Sequence, residues 1–216
     1  MADDKPPPSP LVLSYIAQRR AIGIIGVALP FVLLASRILP NGPLVQPSIS
    51  DYYYTIMGSY FVGSLCAIGV FQLSYRGPDQ ADRIAGNLAF AFAVGVAMFP
   101  TEPAVITSDW NIPLGKLHLL LASSLFLTLA YFSLVLFRRT NPNGSMTKQK
   151  KRRNVVYAVC GAMILVCIGL ILLYYLFLPD SGLGRFNPVF WLESIAVVSF
   201  GVSWLVKGET ILADDS

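Results

Sequence analysis

The sequence predicts an all-α membrane protein, a bundle of six transmembrane helices. Of the 216 residues, 55% are hydrophobic and only 13% are charged, whereas soluble domains carry about 25% charged residues. The mean hydropathy is +0.61. The apolar residues form six stretches of roughly the 17–25 residues that a helix needs to cross about 30 Å of hydrocarbon. Helices are expected there because lipid offers the backbone no hydrogen-bond partner.

In chain order the predicted spans are Ala21–Leu39, Ile56–Tyr75, Ile84–Pro100, Leu117–Phe137, Val155–Leu178 and Pro188–Val206. They form one transmembrane domain over residues 21–206. Residues 1–20 and 207–216 are predicted to be cytoplasmic tails.

Small residues predict how the second and third spans pack. The third span repeats alanine every four positions, at Ala85, Ala89, Ala93 and Ala97. Such a stripe lets a neighbouring helix approach closely. Gly58 and Gly63 predict a similar contact on the second span. The fourth and fifth spans, rich in Leu, Phe and Tyr, are expected to face lipid.

Lys and Arg predict the orientation. On an alternating count of the six spans, 13 of the 16 basic residues fall on one side. The other side holds Arg37, Lys116 and Arg185. Because basic loops stay in the cytoplasm, both termini and the 138–154 loop are predicted to be cytoplasmic. The net charge of +4 needs no nucleic acid, and the 138–154 loop is a candidate site for anionic lipid.

Several mechanisms are excluded by motif. The chain has one histidine and no paired cysteines, which cannot build the usual zinc site, so neither a metal nor another cofactor is predicted. No P-loop and no Gly-x-Ser-x-Gly elbow is present. Cys66, Cys160 and Cys167 all fall within spans and are expected to be inert buried thiols.

Three ionisable residues are the candidate catalytic or binding residues. Asp51 precedes the second span, His118 opens the fourth, and Glu193 lies about one turn inside the sixth. All three fall at the predicted outer face, as do Glu102 and Asp109. A carboxylate at the depth of Glu193 is costly unless it is paired, solvated or protonated. A histidine and a carboxylate can also perform general acid–base chemistry without a metal.

A structural alternative exists for each candidate. Asp51 is a suitable cap for the second span. His118 fits an interfacial residue with one hydrogen bond. Glu193 fits a residue that pairs with a hydroxyl or with Lys116 and fixes the helix register.

The segment Pro47-Ser48-Ile49-Ser50-Asp51, with His118 and Glu193, resembles a eukaryotic six-span family. It comprises the damage-regulated autophagy modulators and the Golgi proteins that remodel GPI-anchor lipids. The chain also resembles a group of bacterial inner-membrane proteins with no assigned reaction, through the segments 48–55, 151–154 and 190–193. The resemblance implies a multi-pass protein of the bacterial inner membrane.

The leading functional hypothesis is a protein that binds or processes lipid at its outer face through Asp51, His118 and Glu193. Whether it is an enzyme is left open by the residues. The rival is a structural, sensing or accessory membrane subunit, and a small-solute permease is the third alternative. Membrane lipids are the predicted partners, and the oligomeric state is open.

Overall fold

The structure is a computed structural model that describes residues 10–77, 79–101, 114–140, 146–179 and 181–212. These residues form six long helices and contain no strand, which confirms the all-α prediction. The helices are α1 (Pro10–Ala35), α2 (Gly58–Ser74), α3 (Gln80–Met98), α4 (Leu114–Tyr131), α5 (Lys148–Phe177) and α6 (Pro188–Lys207). A π-helical turn, Phe132–Leu136, continues α4, and short 3₁₀ helices occupy Ser36–Ile38, Ser50–Tyr54 and Leu183–Phe186.

Five of the six helices are long and apolar enough to cross a membrane, as is typical of a multi-pass membrane protein. The exception is α2, which is apolar but has only 17 residues. At 1.5 Å per residue it is about 26 Å long, slightly short of the hydrocarbon thickness. The helix begins two residues later than the predicted second span, because Ile56 and Met57 form a turn before it.

The predicted N-terminal tail, residues 1–20, is helical over its second half. α1 begins at Pro10, well before the predicted start at Ala21. Proline is tolerated in the first turn of a helix, where its missing N–H would have no partner. Because Gln18, Arg19 and Arg20 interrupt the apolar pattern, hydropathy places the start of the span at Ala21, after the helix has begun.

The same effect lengthens α5. It begins at Lys148, whereas the span was predicted from Val155. The first turn is capped by Thr147, whose side-chain oxygen accepts from the backbone N–H of Lys150 at 3.1 Å. Such a cap satisfies one of the free N–H groups at a helix start. The basic 148–153 segment is therefore a helical extension of the fifth predicted span.

Each helix packs on its neighbours in the chain, and α1 packs on α6, so that the six helices close into a ring. In α6, 50% of the residues in its most apolar stretch are buried, the largest share among the five membrane-length helices. In α5 the share is 28%, the smallest. Hence α6 is the most enclosed of the five membrane-length helices and α5 the most peripheral. The expectation that the fifth span faces outward is confirmed.

The alanine stripe of α3 is buried as predicted. Ala85, Ala89, Ala93 and Ala97 are each at most 3% exposed. Across from Ala93 lies Gly69 of α2, where an added Cβ would be 3.4 Å from the Ala93 Cβ. The close helix contact predicted at Gly63 of α2 is wrong, because a Cβ there would meet nothing within 4 Å.

The bundle has two chemically different ends. We call the end formed by segments 36–57, 99–101 and 181–188 the site end. We call the end formed by 75–77, 79, 137–140, 146–150 and 207–212 the basic end. At the basic end, Arg139 forms an ion pair with Asp79 at 2.8 Å, and the Nε of Arg20 donates to the carbonyl of Gly208 at 2.8 Å.

Aromatic rings fill the interior near the basic end. Trp204 is fully buried, and its ring lies 5.1 Å from those of Tyr75 and Phe137, while Tyr157 packs on Phe137 at 5.3 Å. Edge-to-face pairs at such distances are favourable.

Candidate functional site

The segment before the 3₁₀ helix Ser50–Tyr54 lies against the start of α6. The carbonyl of Pro47 accepts from the backbone N–H of Phe190 at 2.9 Å. The side-chain amide of Asn187 donates to the carbonyl of Val45 at 3.1 Å. The first N–H groups of a helix have no partner within it, so this segment supplies one. The contact fixes residues 45–51 over the first turn of α6.

Glu193 joins the same contact. Its Oε2 accepts from the backbone N–H of Ile49 at 2.7 Å. The suggested pairing with Lys116 is not what the structure has: among the described residues, ion pairs within 4.0 Å are formed by Arg139 with Asp79 and Asp82 alone. Glu193 is partly buried, and its Oε1 has no hydrogen bond from the described part of the chain.

The structural alternative for Asp51, a cap on the second span, is wrong. It lies within the 3₁₀ helix Ser50–Tyr54, and α2 begins only at Gly58. Its Oδ2 accepts from the hydroxyl of Ser48 at 2.8 Å, and its Oδ1 accepts from the hydroxyl of Thr101 at 3.0 Å. The Ser48 hydroxyl in turn accepts from the backbone N–H of Asp51 at 3.1 Å. Both carboxylate oxygens are therefore held in place.

His118 lies in the second turn of α4 and is 5% exposed. Its Nδ1 is 2.6 Å from the carbonyl oxygen of Phe99. A carbonyl can only accept, so Nδ1 must carry the hydrogen, and in the neutral ring Nε2 is then the acceptor. No described residue forms a hydrogen bond with Nε2. The buried ring is thus fixed in one tautomer with its lone pair available.

The three candidate residues line one cavity of about 370 Å³. It lies where α4, α5, α6 and the 48–51 segment meet. Asp51 is close enough to His118 and to Glu193 to interact electrostatically with each. The remaining walls are contributed by Ser48, Ser50, Thr101, Gly115, Leu119, Ala122, Ile171, Tyr175 and Val189.

A second, apolar cavity of about 50 Å³ adjoins the first. The two share Ser50, Ala122 and Glu193. The other walls of the smaller cavity are apolar side chains of the bundle interior, among them Phe61, Leu125 and Phe200. The site therefore has a polar chamber next to an apolar one.

Within the described ranges, no group of three His, Cys, Asp or Glu side chains is placed to hold a metal ion. Glu102 and Asp109, predicted to lie at the outer face, are outside the described residues. No family model, no curated protein and no solved structure matches the chain. The family resemblance inferred from the sequence therefore stays a prediction.

Sequence reasoning missed the partners that hold the three candidates. The Ser48-x-x-Asp51 spacing is typical of a side chain that bonds to the backbone three residues on, so Ser48 could have been found. Thr101 and the Phe99 carbonyl carry no such signal, because their roles depend on how α3 ends beside the 3₁₀ helix. Tyr175 reaches the cavity from α5, which no local pattern indicates.

Proposed function

We propose that the chain is a six-span membrane protein with both termini in the cytoplasm, and that its cavity binds or processes lipid in the outer leaflet. The basic end would lie in the cytoplasm. In favour of this orientation, Arg37, Lys116 and Arg185 are the only basic residues of the sequence assigned to the site end, and basic loops stay inside.

The observation that carries the proposal is the cavity's position at the bundle surface. Two of its lining residues, Leu119 of α4 and Tyr175 of α5, are 52% and 51% exposed. Lipid tails would surround these side chains in a bilayer. A polar chamber that opens between apolar helices suits an amphiphile with its headgroup inside and its tails along α4 and α5.

The chemistry available is acid–base. In the neutral ring, the His118 Nε2 can accept a proton from a hydroxyl or a water held in the cavity. Glu193 offers a second acceptor, and Asp51 offers a fixed carboxylate. These groups suit either recognition of a headgroup or hydrolysis at one. The predicted resemblance of the chain to proteins that remodel lipid anchors is a further argument for a lipid ligand.

The rival proposal is a purely structural role. It is favoured by the bonds of Glu193 to Ile49 and of Asp51 to Ser48 and Thr101, which tie three chain segments together. A cavity of about 370 Å³ is more than such locking requires. A permease is favoured less, since the cavity next to the chamber is small and apolar.

A second lipid contact is proposed at the basic end. Lys148, Lys151 and Arg152 are exposed at the start of α5, where anionic headgroups would attract them. Lys150 and Arg153 are engaged within the fold, with the carbonyls of Phe137 and Leu212, both at 2.7 Å.

Filling the cavity tests the proposal. Ala122 lines both chambers, so Ala122→Phe should exclude lipid without altering a polar group. We expect the purified protein in mild detergent to retain lipid by native mass spectrometry and this variant to lose it. Ala17→Phe, on the exposed face of α1, is the control.

Thermal unfolding of both variants shows whether they are folded, and Ala122→Leu serves if the larger side chain prevents folding. Equal lipid retention by the cavity variant and the wild type would contradict the proposal and favour the structural role.

A further inference from the structure

We infer that the ligand of the polar chamber carries a positively charged amine, in the manner of a lipid with an ammonium headgroup. This inference rests on the proposed function and names the class of ligand. Its basis is the chemistry of the cavity walls, which offer acceptors and negative charge.

The charge of the walls is one-sided. Two carboxylates, those of Asp51 and Glu193, line the chamber, and none of its lining residues is a Lys or an Arg. Among the described residues, neither carboxylate has an ion pair. A carboxyl group away from water ionises at low cost only beside a compensating charge, so a cationic ligand would stabilise the ionised form of this site.

The free polar atoms of Glu193 and His118 are acceptors. Both oxygens of Asp51 and the Oε2 of Glu193 already accept a hydrogen bond from the protein. The Oε1 of Glu193 and the Nε2 of His118 have none from the described chain, and both can accept. His118 is 5% exposed and lines the cavity, so its Nε2 is available to a ligand in the chamber. A primary ammonium donates three N–H groups.

An anionic headgroup fits the chamber poorly. A phosphate needs donors, and it would face two carboxylates across a short distance. The hydroxyls of Ser48 and Thr101 are already directed at Asp51. The phosphate of an ammonium phospholipid would therefore lie toward the mouth of the chamber, where the exposed Tyr175 is a donor, while its amine lies inside.

The experiment presents three phospholipids with identical acyl chains to the purified protein at equal concentrations. Their headgroups are ethanolamine, choline and glycerol, and bound lipid is measured by native mass spectrometry. We expect the ethanolamine lipid to be retained about tenfold over the glycerol lipid, the ratio expected from a hydrogen bond to a charged group. Choline carries the charge without an N–H group, so it should rank between them.

The variant Glu193→Gln separates charge from shape. It keeps an acceptor for Ile49 but removes the carboxylate, so the preference for ethanolamine over glycerol should fall to about equal retention. Glu209→Gln, at the basic end, is the matched control and should keep the preference.

The two proposals fail differently. If the wild type retains no more lipid than Ala122→Phe, the proposed lipid function is wrong. If it retains lipid but shows no preference for ethanolamine, prefers glycerol, or keeps the preference in Glu193→Gln, the lipid function stands and the ammonium assignment is overturned.

Discussion

At the scale of single residues, Glu193 links the sixth helix to the 48–51 segment. Its hydrogen bond to the Ile49 N–H is 2.7 Å long and joins residues that are far apart in the chain. A backbone N–H that loses its partner in a buried setting costs about 1–3 kcal/mol. Glu193 is therefore a structural residue as well as a candidate ligand-binding residue, and the two roles can be separated by substitution.

We expect Glu193→Leu to lower the free energy of unfolding by about 1–3 kcal/mol, because it leaves the Ile49 N–H unpaired. Glu193→Gln keeps an oxygen in the same place and should cost much less. Thermal unfolding in detergent measures both. If the two variants melt alike, the bond to Ile49 contributes nothing and the register-locking role is wrong.

At the scale of helices, glycine permits a close approach between α1 and α6. A Cβ added at Gly201 would lie 2.7 Å from the Val27 backbone nitrogen and 2.8 Å from the Gly23 carbonyl oxygen. A Cβ at Gly23 would likewise lie 2.9 Å from the Gly201 carbonyl oxygen. Both obstacles are backbone, which cannot rotate away. This crossing holds α6, and with it Glu193, in position.

We predict opposite effects for one substitution at two helical glycines. Gly201→Ala should destabilise the bundle by about 1–3 kcal/mol, as overpacking does. Gly63→Ala, where a Cβ meets nothing within 4 Å, should be neutral or raise stability by up to about 1 kcal/mol, since alanine favours the helix. Detergent melting of the two variants checks this, and similar losses for both would contradict the close crossing.

The sequence predicted the helices better than their partners. Alanines four residues apart on α3 marked a buried face because that period is intrinsic to a helix. Gly23 and Gly201 form an equally close contact, but nothing in either helix says which glycine faces which. Gly63 and Gly69 look equivalent in the chain, and only the packing of α2 on α3 distinguishes them.

The candidate site could likewise be predicted in its residues but not in their spatial arrangement. Sequence could place Asp51, His118 and Glu193 near one level, because each begins or precedes a predicted span. It could not show that all three line one cavity, since this depends on the ring order of α4, α5 and α6. Nor could it assign the His118 tautomer, which is fixed by a carbonyl 19 residues away.

At the scale of the whole molecule, the two ends agree with the charge pattern. The long-range hydrogen bonds of the 45–51 segment are with segments assigned by sequence to the outer side, the start of α6 and Thr101. Arg20, Arg139 and Arg153 all make their contacts at the other end, with Gly208, Asp79 and Leu212. The proposed arrangement, with both termini at that end, requires an even number of crossings and therefore includes α2 as a span despite its 17 residues.

Thiol labelling tests this orientation directly. A cysteine at the exposed Asn41 of the site end should react with a membrane-impermeant maleimide in intact cells, and one at the exposed Thr140 of the basic end should react only after lysis. The physical reason is the retention of basic loops in the cytoplasm during insertion. The three native cysteines lie within helices, and a variant with serine in their place removes any background.

Labelling of Thr140→Cys but not of Asn41→Cys in intact cells would invert the bundle and place the cavity at the cytoplasmic leaflet. Labelling of both or neither would mean that the two ends share one side, which an odd number of crossings between them cannot give, and the six-span arrangement would then be wrong.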